Sequence, residues 1–364
     1  MTAQIKIMFA IVAYLRIPLL ALLGFAFYTT ACTAQVPIRE VRLSDKKVVL
    51  LLDSTAAALA ITTDPYDHYF DLVTAAEMSI QMKRPLTGGE SRSDLLPAYL
   101  EFLKTDVSSF DLAESKFVAE VLNKAYRTVQ AVAPGIFPDT LRLIKTKGTH
   151  YGDGVWYTRG NCIIVPANEV EAKKTNPFTT TVFHELFHVY SRLNPARSAE
   201  LYRLIGFTGM NLEQLRLPTR LAERVLYNPD GVNFAQRITL QQPDGSRVEA
   251  IPIIYSKHLG LLAGQNEFFG YVEFNLFPIT ANADSTWQVG VKDDGYSSPL
   301  QLDSQPDFFQ QIKDNTGYII HPDEVLADNF SFLMVEHNSP LYTQKFSPAG
   351  KKLLADMKAI LQKK

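Results

Sequence analysis

Cysteine is scarce in this chain: Cys32 and Cys162 are the two in 364 residues. If an N-terminal leader is removed, Cys162 stands alone, which excludes an intrachain disulfide framework and suits a bacterial exported protein better than a disulfide-built extracellular one. A buried structural thiol is the role expected of it. Excess charge is also lacking. With 36 basic and 38 acidic residues the net charge is −2, too even for a polybasic grip on nucleic acid or on a membrane surface. There is no internal repeat and no low-complexity tract, so a solenoid or a disordered linker protein is excluded. Beyond residue 28 no apolar run is long enough to cross a bilayer. What remains is 46% hydrophobic content, ample for one large core or two smaller ones.

The first residues differ in kind. Residues 1–16 carry Lys6 and Arg16 and no acid, residues 17–27 form an apolar run, and the small residues Thr29-Thr30-Ala31-Cys32-Thr33-Ala34 follow. This is the pattern of an export signal over residues 1–34. Cleavage after Ala34 gives a periplasmic or secreted protein; cleavage before Cys32 gives one whose first residue is lipidated and anchored to the cell envelope. Thr29 stands where a lipoprotein signal usually has an aliphatic residue. An uncleaved anchor over residues 7–28 is the alternative, opposed by Arg16 and Pro18 in its middle.

The densest signal is His184-Glu185-Leu186-Phe187-His188. On a helix, residues i and i+4 lie on one face, so both imidazoles can reach one metal ion, and the glutamate beside the first can take a proton from a metal-activated water. The variable positions around them, Thr181, Val182, Phe183, Leu186, Phe187, Val189 and Tyr190, are all uncharged, which predicts a helix buried on most of its circumference. Histidines in such a helix need partners. Backbone carbonyls or a neighbouring carboxylate would suffice for one histidine; the complete motif favours metal.

Periodicity predicts an α+β chain. Residues 35–140 read as a helical N-terminal part, with helices over 64–82, 95–103 and 117–129; His68 and Glu77 within it are expected to be solvated or capping residues. Residues 141–226 read as the core. In it, 141–146 alternates like a strand, 155–158 and 162–165 flank Arg159-Gly160-Asn161 as a hairpin, and a helix capped by threonine runs over 180–191 until Asn194-Pro195. Shorter helices are expected over 201–205 and 221–226. Residues 227–300 form a β-rich insertion marked by Asn228-Pro229-Asp230-Gly231 and Pro243-Asp244-Gly245. Residues 301–364 close the chain with helices over 322–335 and 347–361.

A catalytic metal needs a third protein ligand. After His188 the chain continues Val189-Tyr190-Ser191-Arg192-Leu193-Asn194, without the glycine and histidine that a metzincin requires. His321-Pro322-Asp323-Glu324-Val325-Leu326-Ala327-Asp328 offers a carboxylate instead: Pro322 suits a first helical turn, and Glu324 and Asp328 share a face. Glu324 would bind the metal and Asp328 would hold the far ring nitrogen of a ligand histidine. Glu200 is the rival and Glu223 a weaker third choice.

With these residues together, the chain resembles the gluzincin group of zinc metallopeptidases, the thermolysin-like enzymes. The resemblance rests on the motif helix and the Glu324 helix, a small part of the chain, and the separation of His188 from Glu324 is far longer than in thermolysin-like enzymes. It implies a zincin-like catalytic core, one Zn²⁺ per chain on His184, His188 and Glu324, Glu185 as general base, and a peptide or protein substrate. The hairpin before the motif helix would be an edge strand, and an extended substrate would pair with it. Tyr318 and His321 are candidate donors to an oxyanion. Two other functions are carried alongside: a non-catalytic exported or lipid-anchored binding protein on the same scaffold, which would not need Glu185, and a zinc hydrolase of a non-peptide bond.

Overall fold

The computed structural model describes residues 39–339 and 341–363; the expected export signal, with Cys32, lies outside them. The chain is a mixed α+β protein with two six-stranded sheets. In the first sheet the strands run Glu40–Arg42, Val48–Leu51, Thr140–Thr146, Cys162–Pro166 and Tyr157–Arg159 from edge to edge, with Val107–Ser108 on the end of Thr140–Thr146. The three inner strands are parallel and both outer ones antiparallel. Alternation sorts their side chains: Leu141, Leu143, Ile163 and Val165 face one core, Ile144, Cys162 and Ile164 the other. Parallel strands buried on both faces read as continuous apolar runs, which Val48-Val49-Leu50-Leu51 does inside the region expected to be helical.

The first core is shared with the helix Leu112–Val132, opened by a reciprocal capping box of Asp111 and Glu114, with the motif helix Thr175–Leu193, and with Pro322–Asn338 and Pro348–Leu361. The second holds the N-terminal helices. The motif helix starts earlier than expected. Thr179 and Thr180 do not cap it; their hydroxyls donate back to the carbonyls of Thr175 and Asn176, 2.5 and 3.1 Å away, inside the helix. Pro177 sits in the first turn, where a missing N–H costs nothing. Pro195 opens the helix Pro195–Arg203 rather than a loop, so the helix expected at 201–205 lies further upstream.

The helix expected over 64–82 is two pieces, Tyr69–Leu72 and Ala75–Gln81. Asp64 accepts the backbone N–H groups of Tyr66, Asp67 and Tyr69, which holds the chain in a turn, and Thr74 caps the second piece. His68 is exposed as expected, but Glu77 is fully buried. It accepts from the Tyr69 hydroxyl (2.7 Å), the Gln81 amide (2.9 Å) and the Tyr227 N–H (2.9 Å).

The second sheet runs Phe207–Gly209, Gln236–Gln241, Arg247–Tyr255, Glu273–Ala281, Trp287–Val289 and Leu215–Arg216, antiparallel except for its last pair. Its two outer strands come from before residue 227. The loop between the short helix Thr219–Ala222 and Gln236–Gln241 carries Asn228 and Asp230 toward the motif helix. Among the described residues no helix is long and apolar enough to cross a membrane.

Candidate metal centre

His184, Glu185 and His188 lie in the middle of the motif helix, and Glu324 in the first turn of Pro322–Asn338, which packs along it. Glu324 Oε2 is 3.0 Å from His184 Nε2 and 3.3 Å from His188 Nε2. Ligand atoms of the three all lie within 4.8 Å of one another. A tetrahedral site with bonds of about 2.0–2.1 Å has edges of roughly 3.3–3.4 Å, so Glu324 stands at nearly the separation from each imidazole that a zinc-sized ion requires. His188 Nε2 is buried and makes no well-aligned hydrogen bond, Glu324 Oε2 at 3.3 Å being its neighbour, which leaves it free to turn to a bound ion.

The far side of each ligand is held. Asp328 Oδ1 lies 3.0 Å from His184 Nδ1 and Asp323 Oδ2 2.7 Å from His188 Nδ1. Both imidazoles therefore turn Nε2 inward, the arrangement that carboxylate–histidine–metal sites use to fix ring and tautomer. Asp323 is in turn fixed by the hydroxyls of Ser191 (2.6 Å) and Tyr202 (2.7 Å), and Asn228 donates to Glu324 Oε1 at 2.6 Å. Thr316 donates to Asp328 and accepts the Tyr318 N–H at 2.9 Å, bringing the Tyr318 ring over His184 at 6.1 Å.

Electrostatics fit a cation site. Burial opposes charge on His184, but hydrogen bonds to Asp328 and Glu324 outweigh it and raise its pKa from 6.5 to about 10. His188 is raised well above its ordinary value: burial is again overcome, here by Glu324 and Asp230. Against its own burial, the two imidazoles hold Glu324 well below the usual carboxylate range. Protons on the imidazoles thus balance the carboxylates, and a divalent ion would take their place. Burial, then the charge of Asp230, push Glu185 up to about 8, and its Oε2 has no hydrogen-bond partner. Burial also raises Asp230.

The remaining expected residues separate. Glu200 lies at the surface, paired with Arg197 and Lys363 (3.2 and 2.7 Å), and Glu223 is the exposed C-cap of a short helix; neither joins the cluster. His321 is corrected to a capping role: Nδ1 accepts the Asp323 N–H and Nε2 donates to the Asn233 carbonyl, leaving no nitrogen for an oxyanion. The Tyr318 hydroxyl makes no hydrogen bond to a described residue, and the ring lines an apolar cavity of about 60 Å³ beside the centre. Cys162 is a free, buried thiol.

The outer strand Tyr157–Arg159 is the sheet edge that the hairpin promised, but it is partly closed. Asp230 Oδ1 accepts both the N–H (2.6 Å) and the hydroxyl (2.7 Å) of Thr158. Arg192 takes the Gly160 and Pro229 carbonyls (3.1 and 3.0 Å) and pairs with Asp67. Asp323, Asn228 and Asp230 were not foreseen as part of this region. Asp323 had a weak signal in its place beside Glu324; the Asn228-Pro229-Asp230-Gly231 turn had none beyond its turn chemistry.

The chain matches no protein-family model, no curated protein and no solved structure.

Proposed function

We propose that this protein is an exported zinc metallopeptidase of gluzincin type. One observation carries the reading: two imidazoles and a carboxylate converge with their outer atoms already held by Asp323, Asp328 and Asn228, while the unpartnered Glu185 Oε2 lies one residue from the first imidazole. The residue set fits zinc in ligand type and number, leaving one position open. A zinc ion there would supply Lewis acidity toward a carbonyl and lower the pKa of a neighbouring water. Glu185, buried and without a competing hydrogen bond, accepts the water's proton and delivers it to the leaving amine. Tyr318, its ring stacked on His184, would be the donor to the developing oxyanion. Export rests on the pattern of residues 1–34.

The test joins metal content to activity. Purified protein should hold one zinc per chain, and His188→Ala should lose it. Glu185→Gln should keep the metal while hydrolysis of unblocked peptides falls by about 10²- to 10⁴-fold, the range for a lost general base. Undiminished turnover in Glu185→Gln overturns the mechanism.

A further inference from the structure

The closed sheet edge bears on which peptides the site accepts. Register pairs Thr158 with Ile163 and Tyr157 with Ile164. Because the Thr158 N–H turns to Asp230, away from the neighbouring strand, alternation carried one residue beyond the strand's start at Tyr157 would put the backbone groups of Trp156 on the outer side too. Those of Trp156 have no hydrogen-bond partner among the described residues, and Trp156 lines the cavity. An extended peptide can therefore pair with the edge at Trp156 but meets a side chain at Thr158. Beyond it, Arg192 covers the Gly160 carbonyl.

The blocking group is an acid with one oxygen spare. Asp230 spends Oδ1 on Thr158, and its N–H is held by Asn228 Oδ1 at 3.1 Å, the same Asn228 that donates to Glu324. Oδ2 accepts no hydrogen bond from any described residue, and Asp230 lines the cavity. A carboxylate at the stopped end of a peptide track suits an ammonium group, with which it makes charge-assisted hydrogen bonds. Beside it the cavity is walled by Leu226, Ile254, Phe268 and Tyr318. Its volume is about 60 Å³; a water needs roughly 10–15 Å³ of such space, so it has room for a branched aliphatic side chain.

We infer that, given the peptidase reading, the enzyme is an aminopeptidase: Asp230 Oδ2 binds the free α-ammonium of the substrate, and the cavity receives an aliphatic N-terminal side chain. The step is ordinary hydrolysis, in which water adds across the first peptide bond, releasing one amino acid and a peptide shortened by one residue.

The test uses the zinc-loaded full chain and a leucine-led pentapeptide, free or N-acetylated. The free peptide should lose its leucine, with kcat/KM exceeding that of the acetylated form by about 10- to 100-fold, as expected for a lost hydrogen bond to a charged group. Asp230→Asn keeps the Thr158 acceptor; in it that ratio should collapse, mainly through KM, while Asp230→Glu recovers part of it. Zinc content and the urea midpoint of each variant report on folding. Internal cleavage of the acetylated peptide at a rate matching the free one overturns the aminopeptidase inference and leaves the peptidase reading intact, as does an unchanged ratio in folded Asp230→Asn. Cleavage of neither peptide, nor of any other, by zinc-loaded protein overturns the peptidase reading and this inference with it.

Discussion

Replacing Asp323 by asparagine probes the support of the proposed metal centre without touching a proposed ligand. Asp323 Oδ2 lies 2.7 Å from His188 Nδ1, and Oδ1 accepts from Ser191 and Tyr202 at 2.6 and 2.7 Å. Asparagine can keep its oxygen toward His188 and turn its NH₂ to the two hydroxyls, which have lone pairs to accept it. The substitution thus removes the negative charge behind the imidazole and leaves its orientation. Losing such a partner lowers metal affinity about 10- to 100-fold, or roughly 1.4–2.7 kcal/mol. Asp328 provides the internal comparison. It sits 3.0 Å from His184 Nδ1, and its side chain is 24% exposed against 2% for Asp323; water screens the more exposed charge. Asp323→Asn should therefore approach the upper limit and Asp328→Asn stay near tenfold. Competition of the metal-free protein against a chromophoric zinc chelator measures both, with circular dichroism confirming that each variant is folded. Unchanged zinc affinity in Asp323→Asn, or a larger loss in Asp328→Asn, would refute this account of how the histidines are held.

Two further outcomes are expected. Glu324→Ala should cost more zinc affinity than the roughly 100-fold limit for an outer partner, whereas Glu200→Ala should leave it unchanged; the same chelator competition decides, and the reverse ranking displaces Glu324 as third ligand. Glu77 offers a pH test away from the metal. Burial raises its pKa from 4.5 to about 7, so the folded state holds its proton more tightly than the unfolded chain. Its contribution to stability is complete below pH 4.5 and is lost as pH rises through about 7, a loss of about 3 kcal/mol. Urea unfolding at pH 5 and pH 8 should show the stability of Glu77→Gln, relative to the unaltered protein, improving by about that amount at the higher pH; parallel curves would contradict it.

Much of the centre was legible because helical geometry is local. The spacing of His184 and His188, and of Glu324 and Asp328, places each pair on one helix face whatever the helices later pack against. The apolar flanks of the motif predicted a buried helix, and Phe178, Val182, Phe183, Leu186, Phe187 and Val189 are all in the core. Boundaries were less legible where one side chain could serve two purposes. Thr179 and Thr180 read as caps but bond back inside the helix, and the 64–82 pattern concealed a break set by Asp64 and Thr74.

By itself, then, the sequence determined the α+β character, the motif helix and which short segments could carry ligands, since these follow from periodicity and from residues a few positions apart. Only the tertiary structure brought Glu324 rather than Glu200 to the two histidines, because that depends on which helix packs along the motif helix across a long intervening sheet. It also brought Asp323 behind His188, buried Glu77, and laid Asp230 over the sheet edge. Each of these is a contact between distant segments whose partners leave no periodic mark on the chain.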